Sequence, residues 1–219
     1  MNKFKLLSSV VFVSQLLVSG ISNVSAGVID LTGSTVSDSN LVSFVGNTAT
    51  LYTGDDSGAT YTSSFDTSGF TDGFGNPGTF GSELSGNINL APHTEVSFDW
   101  TFSTTDTVAN DFSQVLFGGT SYQLGDVTTA NPSATGSILG EPVAGEISGH
   151  FSHIFWSGYN GPLYFVVSNQ FDNSYGSALS ISGLQSAVVA VPETESWLMM
   201  VAGLALLSAA QRRKSTGLN

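Results

Sequence analysis

Carboxylates are the reactive groups this chain holds in quantity, and they come without counter-ions. Seventeen Asp and Glu stand against five Lys and Arg. All five cations (Lys3, Lys5, Arg212, Arg213 and Lys214) lie in the terminal segments, where only Glu193 and Glu195 of the acids fall, which leaves fifteen acids and no Lys or Arg between Gly27 and Ala190. A surface of one sign repels phosphates and anionic headgroups, so nucleic acid is excluded as a partner of this body. Acids with no Lys or Arg to pair with must be spread out, solvated or neutralised by a metal cation, and calcium suits hard oxygen ligands best. Acidic turns occur at Asp55-Asp56-Ser57-Gly58, Asp72-Gly73 and Asp172-Asn173, and the candidate calcium ligands are Asp106, Asp111, Asp126 and Asp172. No EF-hand loop is present, and Asp and Asn are also ordinary turn residues, so a plain turn reading stands beside the metal one.

Catalytic constellations are sparse. His150 and His153 are three apart in a predicted strand, which puts them on opposite faces, and His93 follows Pro92 in a turn. No Gly-x-Ser-x-Gly elbow or His-Glu-x-x-His helix occurs. A glycoside hydrolase needs two carboxylates about 5 to 9.5 Å apart. Glu83, Glu95, Asp99, Glu141 and Glu146 are available, but among fifteen acids some pair meets that distance by chance. The reading is therefore a non-enzymatic protein. Trp156, Tyr159 and Tyr164, with Tyr175 nearby, offer stacking faces for a glycan, with calcium bridging sugar hydroxyls; the alternative is that these rings belong to the core or to ordinary surface. Cysteine is absent, which removes disulfides, thiol catalysis and thiolate metal sites together.

The elements that must carry these residues read as β throughout. Gly, Ser, Thr and Asn dominate the body and short Val/Ile/Phe/Tyr runs recur between turn residues, with no sustained helical period. Candidate strands are 28–31, 41–45, 48–52, 60–65, 86–90, 95–102, 113–117, 121–124, 149–156, 162–168 and 178–184. The clearest is Glu95 to Phe102, where Val96, Phe98, Trp100 and Phe102 alternate with Ser97, Asp99 and Thr101 and so place four large apolar side chains on one face. Asn160-Gly161 is the hairpin signal between two apolar arms. The loops 66–81 and 128–145 read as irregular, with Phe70, Phe74 and Phe80 expected to tuck onto the body. The fold expected is one all-β antiparallel sandwich over 27–190, with Phe98, Trp100, Phe102, Ile154, Phe165, Val167, Leu179 and Ile181 in its core.

Both ends carry apolar segments with basic flanks. Lys3 and Lys5 precede an apolar run from Leu6 to Val18, and Val24-Ser25-Ala26 supplies small residues for cleavage at Ala26, as in a secretory signal peptide over 1–26. At the other end Val191-Pro192-Glu193-Thr194-Glu195-Ser196 leads into an apolar run from Trp197 to Ala210, closed by Gln211-Arg212-Arg213-Lys214 and a short tail, 215–219. A helix of about fourteen residues spans roughly 21 Å, short of the ~30 Å hydrocarbon core. Cations at its end favour the cytoplasm, which leaves the body on the far side.

The order Pro192-Glu193, Ser196-Trp197, a helix with Gly203, Leu204 and Leu206, and Arg212-Arg213-Lys214 resembles the PEP-CTERM sorting signal of bacterial exported proteins, with Thr194 where that signal usually has proline. The resemblance implies signal peptidase and an intramembrane exosortase as processing enzymes, cleavage near Pro192-Glu193, membrane contact only through segment 191–214 before cleavage, and release to the cell surface or an extracellular, biofilm-type matrix. More loosely, the alternating strand from Val96, Asn110-Asp111-Phe112, Leu124-Gly125-Asp126-Val127 and Asp172-Asn173-Ser174 before Ala178-Leu179-Ser180-Ile181 is similar to the jelly-roll-like domain of many PEP-CTERM proteins, in which Ser182 is often an Asp. The function expected is an exported matrix or surface component, with a calcium-assisted, lectin-like module for extracellular polysaccharide as the alternative.

Overall fold

A computed structural model describes residues 26–54, 65–106, 110–130, 145–171, 176–190 and 199–208. The region Ser25–Val188 forms one compact unit. Its elements are β1 (Ala26–Val28), β2 (Thr35–Val36), β3 (Val42–Val45), β4 (Thr48–Tyr52), β5 (Gly81–Leu90), β6 (Thr94–Thr104), β7 (Phe112–Phe117), β8 (Thr120–Asp126), a one-turn helix α1 (Val127–Ala130), β9 (Gly145–Phe155), β10 (Tyr159–Ser168) and β11 (Ser177–Val188). Every pairing is antiparallel. One sheet runs β3-β4-β11-β6-β9, with β1 sharing the β4 edge of β11, and the other runs β2-β5-β10-β7-β8. Residues 199–208 are helical, and among the described residues no helix is long and apolar enough to cross a membrane.

Alternation decides what each strand buries. On β6, Val96, Phe98 and Phe102 point inward and are buried, while Trp100 is half-buried over Gly149 on β9, where a Cβ would stand 2.7 Å from the indole. Phe165, Val167, Leu179 and Ile181 complete the expected core with exposures of 1% or less. Ile154 departs from expectation. It pairs with Glu95, and β9 sends its odd residues Phe151, His153 and Phe155 inward, so the even position lies on the outer face.

Strand register also displaces the expected hairpin turn. Asn160 and Gly161 pair with Asn89 and Ile88 inside β10, and the turn is made earlier, at Trp156-Ser157-Gly158. Gly158 takes φ +78 there, and a Cβ would meet the Leu90 carbonyl at 2.7 Å, so glycine is required at that point. The β10 pairing holds Asn160-Gly161 in line because it brings Leu163 and Phe165 into the core. The expected strand 60–65 falls largely outside the described residues.

Candidate ligand face and polar end

The sandwich has two dissimilar ends. At one, β7 ends in Phe117, β9 in Phe155, and β10 begins at Tyr159. Phe117 lies 5.0 Å from Tyr122, 4.7 Å from His153 and 4.9 Å from Phe155 between ring centroids, and Tyr159 stacks on Phe155 at 5.1 Å. Desolvation among these rings holds His153 below its ordinary pKa, with the Tyr122 hydroxyl 3.5 Å from its Nδ1.

The opposite end is polar and is organised by the loop over 65–80. Asp72 closes a turn by accepting hydrogen bonds at Oδ1 from the backbone N–H of Phe74 and Asn76. Its Oδ2 accepts from side-chain amides of Asn76, Asn110 and Gln170, at 3.1, 3.1 and 3.0 Å. Burial alone would raise the Asp72 pKa, but these donors outweigh it and hold the carboxyl at about 2. The loop is fastened to the sheet by a 2.6 Å contact between the Thr67 and Ser168 hydroxyls and by Gln114 Nε2 donating to the Thr71 carbonyl.

Beside this loop, which covers Val166 and Gln114, the outer face of the β2-β5-β10-β7-β8 sheet is half-exposed around Tyr164. Tyr164 on β10 lies between Ser85 of β5 and Leu116 of β7, with Glu83 and Asn87 one step along β5 and Gln114 and Gln123 paired beyond Leu116. Tyr164, Leu116, Glu83 and Gln123 are half-exposed. Burial pushes the Glu83 carboxyl above its usual range, opposed in part by a hydrogen bond from Ser85. The buried Oε1 atoms of Gln114 and Gln123 have no hydrogen-bond donor.

The outer face of the other sheet is self-paired. His150 Nδ1 stands 2.7 Å from Asp99 Oδ1, Ser152 donates to Glu95, Thr50 meets Ser180 at 3.1 Å, and Gln185 Nε2 donates to Ser97. Glu95 and Asp99 are four residues apart on β6, and Glu146 is four positions from the Asp99 partner His150 on β9. Four strand residues cover roughly 13 Å, beyond the ~5 to 9.5 Å of a glycosidase pair. Glu83 lies on the other sheet, and Glu141 is outside the described residues.

The structure divides the predicted site residues. Asp106 and Asp111 are wholly buried at the polar end: Ser177 Oγ donates to Asp111 Oδ2 and lies 2.7 Å from Thr104 Oγ1, which accepts the Asp106 backbone N–H. Asp126 caps α1 instead, its Oδ1 taking the Thr129 N–H at 2.7 Å and the Thr128 hydroxyl at 2.7 Å. Trp156 and Tyr159 do not join Tyr164. Trp156 is 62% exposed at the turn, edge-on to His93, and Tyr159 is tied into the aromatic end, its hydroxyl donating to the Pro162 carbonyl. Phe74, expected against the body, is 77% exposed because Asp72 holds the turn outward. Ala26 opens β1, whereas Asp172, Tyr175, Val191, Pro192, Glu193, Trp197, Arg212, Arg213 and Lys214 lie outside the described residues.

Sequence reasoning missed Asn110, Gln114 and Gln170. Their signal was chemical, since amides are the side-chain donors left for buried carboxylates in a body without Lys or Arg.

No protein-family model and no curated protein matches the chain. Among solved structures, TmCBM61 in complex with beta-1,4-galactotriose is 14% identical over 72% of this chain and 89% of its own, with a TM-score of 0.32. A CBM4 carbohydrate-binding module is 9% identical over 72% and 79%, with a TM-score of 0.28. Likeness of this degree assigns no ligand.

Proposed function

We propose that this protein is an exported, non-catalytic β-sandwich that binds an extracellular polysaccharide across the open face of its β2-β5-β10-β7-β8 sheet, and that it is sorted outward through its PEP-CTERM-like C-terminal segment. The observation that carries the binding reading is the half-exposed Tyr164, a ring set on an open sheet face among Glu83, Ser85, Gln114 and Gln123. A sugar ring offers an apolar face to stack on an aromatic side chain and hydroxyls that donate to carboxylate and amide oxygens. The half-exposed Glu83 beside Tyr164 suits such hydroxyls, and the other sheet has already used its outward acids on neighbouring strands. Export and processing by signal peptidase and an exosortase are supported by the segments around Ala26 and Pro192-Glu193.

The binding reading is tested by affinity electrophoresis of the full chain through gels containing soluble β-glucan, β-galactan or xylan. Tyr164→Ala should weaken retention roughly tenfold, the loss of an aromatic contact worth somewhat over 1 kcal/mol, while Trp156→Ala should behave as wild type. The opposite ranking would move the site to the β9–β10 turn. Intact mass of the protein recovered outside the cell tests the sorting reading, and a form still ending in Asn219 would overturn it.

A further inference from the structure

The edges of the two sheets are unequally guarded. Among the described residues, β1, β2 and β3 close their sheets with only three, two and four residues, and β8 adds seven with its register against β7 broken between Ser113 and Gln114. Strand β9 differs from all of these. It runs for eleven residues in unbroken register with β6, from Gly145 to Phe155, and among the described residues no strand pairs with its other side. Free N–H and C=O groups along such an edge invite another strand, and proteins ordinarily blunt a long edge with Lys, Pro or a bulge. Strand β9 holds none of the three.

The side chains along this edge complement a second copy of themselves. Ile147 and Phe151 pack against the core yet stay half-exposed, as does Trp100 of β6, whose indole covers Gly149. On the outer face Glu146, Ser148 and His150 are exposed. Two copies of β9 joined edge to edge about a two-fold axis run antiparallel, and the axis passes through a residue that faces itself. Centred on Ser148, the pairing sets Glu146 against His150, Ile147 against Gly149 beside Trp100, and Phe151 against Gly145. Each glycine then lies across from a large apolar side chain, which fills the gap that a glycine leaves in a sheet. Centred on Gly149, the two glycines would face each other and Glu146 would meet Ser152; centred on His150, Glu146 would meet Ile154. Of these registers, only the first gives the Glu146 carboxylate an imidazole.

We propose that this protein pairs with a second copy of itself through β9, antiparallel and centred on Ser148, so that the β3-β4-β11-β6-β9 sheet continues across the two-fold axis into its partner. Self-complementarity is what favours a second copy over the strand of another protein. The fifteen acids of the body oppose the approach of two copies at low ionic strength, so the pairing strengthens as salt screens them. This edge belongs to the other sheet from Tyr164, and the pairing stands whether or not the Tyr164 face binds a glycan.

The chain has no cysteine, so a single introduced thiol reports the register directly. Facing residues of an antiparallel pair have Cα atoms about 4.5 to 5.5 Å apart, inside the range that a disulfide spans. Ser148→Cys therefore brings its two thiols within bonding reach. Ser152→Cys, exposed on the same strand, holds them four residues from the axis on either side, roughly 26 Å apart. Under mild oxidation in screening salt, the full-length Ser148→Cys chain should form a covalent dimer on the order of tenfold faster than Ser152→Cys, because pairing raises the effective thiol concentration. Adding His150→Glu, which sets acid against acid, should slow that cross-link several-fold. Sedimentation velocity of the cysteine-free full chain should show a dimer growing with concentration, and His150→Glu should weaken it, whereas association through the terminal apolar segments would be unchanged. Cross-linking of Ser148→Cys no faster than of Ser152→Cys overturns the proposal, as does a wild-type chain that stays monomeric or whose association His150→Glu leaves unaltered.

Discussion

The two ends of this sandwich close the same pair of sheets with opposite chemistry. At the aromatic end, Phe117, Tyr122, Phe151, Phe155 and Tyr159 fill the gap with rings, with His153 set among them. At the polar end, Asp72, Asp106 and Asp111 are buried among amides and hydroxyls. Ring packing depends on apolar area removed from water, a quantity indifferent to pH and to ions. A buried carboxylate network instead holds only while its acids are ionised and its acceptors satisfied. Stability at one end therefore rests mainly on apolar burial, and at the other it is set by the medium.

The largest effect expected is at the aromatic end. Phe117 is 6% exposed and touches five other rings, so Phe117→Ala should cost about 3 to 5 kcal/mol of unfolding free energy. By denaturant titration at pH 7 that loss should be the same with and without calcium. A loss that changes with calcium would show that the two ends are coupled, and the contrast drawn here would fail.

Asp72 gives the next largest effect. Its folded pKa of about 2 lies below the ordinary 3.8, so the ionised carboxylate stabilises the fold above pH 3.8, and that contribution is lost as pH falls from 3.8 through about 2. The difference amounts to about 2 kcal/mol. Unfolding measured in chelator between pH 5 and pH 2 should show this loss in wild type, and Asp72→Asn should be less stable at pH 5 and flatter over that window. Equal slopes would mean that the Asp72 cage does not form in solution.

The aromatic end was the more legible of the two in the sequence, for a physical reason. Strand alternation is local, so Val96 to Phe102 announces its buried face within a few residues, and the opposite orientations of His150 and His153 follow from the same period. The polar end is assembled from afar. Asp72 meets Asn110 thirty-eight residues on and Gln170 ninety-eight residues on, and no local pattern marks either partner. Asp106 and Asp111 stood out in sequence as acids without Lys or Arg, but their burial follows only from the fold. Asp126 caps α1, a role that sequence alone does not separate from that of a metal ligand until the Thr129 N–H is placed on it. Asn160-Gly161 failed for the converse reason, a strong local turn signal overruled by ten residues of pairing between β10 and β5.

The smallest effect concerns His153, the histidine inside the aromatic cluster. His153 points inward from β9 among Phe117, Phe151 and Phe155, with the Tyr122 hydroxyl 3.5 Å from its Nδ1. Desolvation lowers its pKa from the ordinary 6.5, because the imidazolium loses hydration that the rings do not replace. A group whose folded pKa is depressed in this way binds its proton more readily in the unfolded chain. Stability therefore falls as pH drops below 6.5, and the fall ends once the pH has passed beneath the lowered folded value. His153 is only partly buried, so this step should be smaller than that of Asp72, and it should occupy a higher, separate pH range. A His153→Phe variant should abolish it while leaving the Asp72 loss below pH 3.8 in place. If the variant instead keeps the higher step, that step does not come from His153.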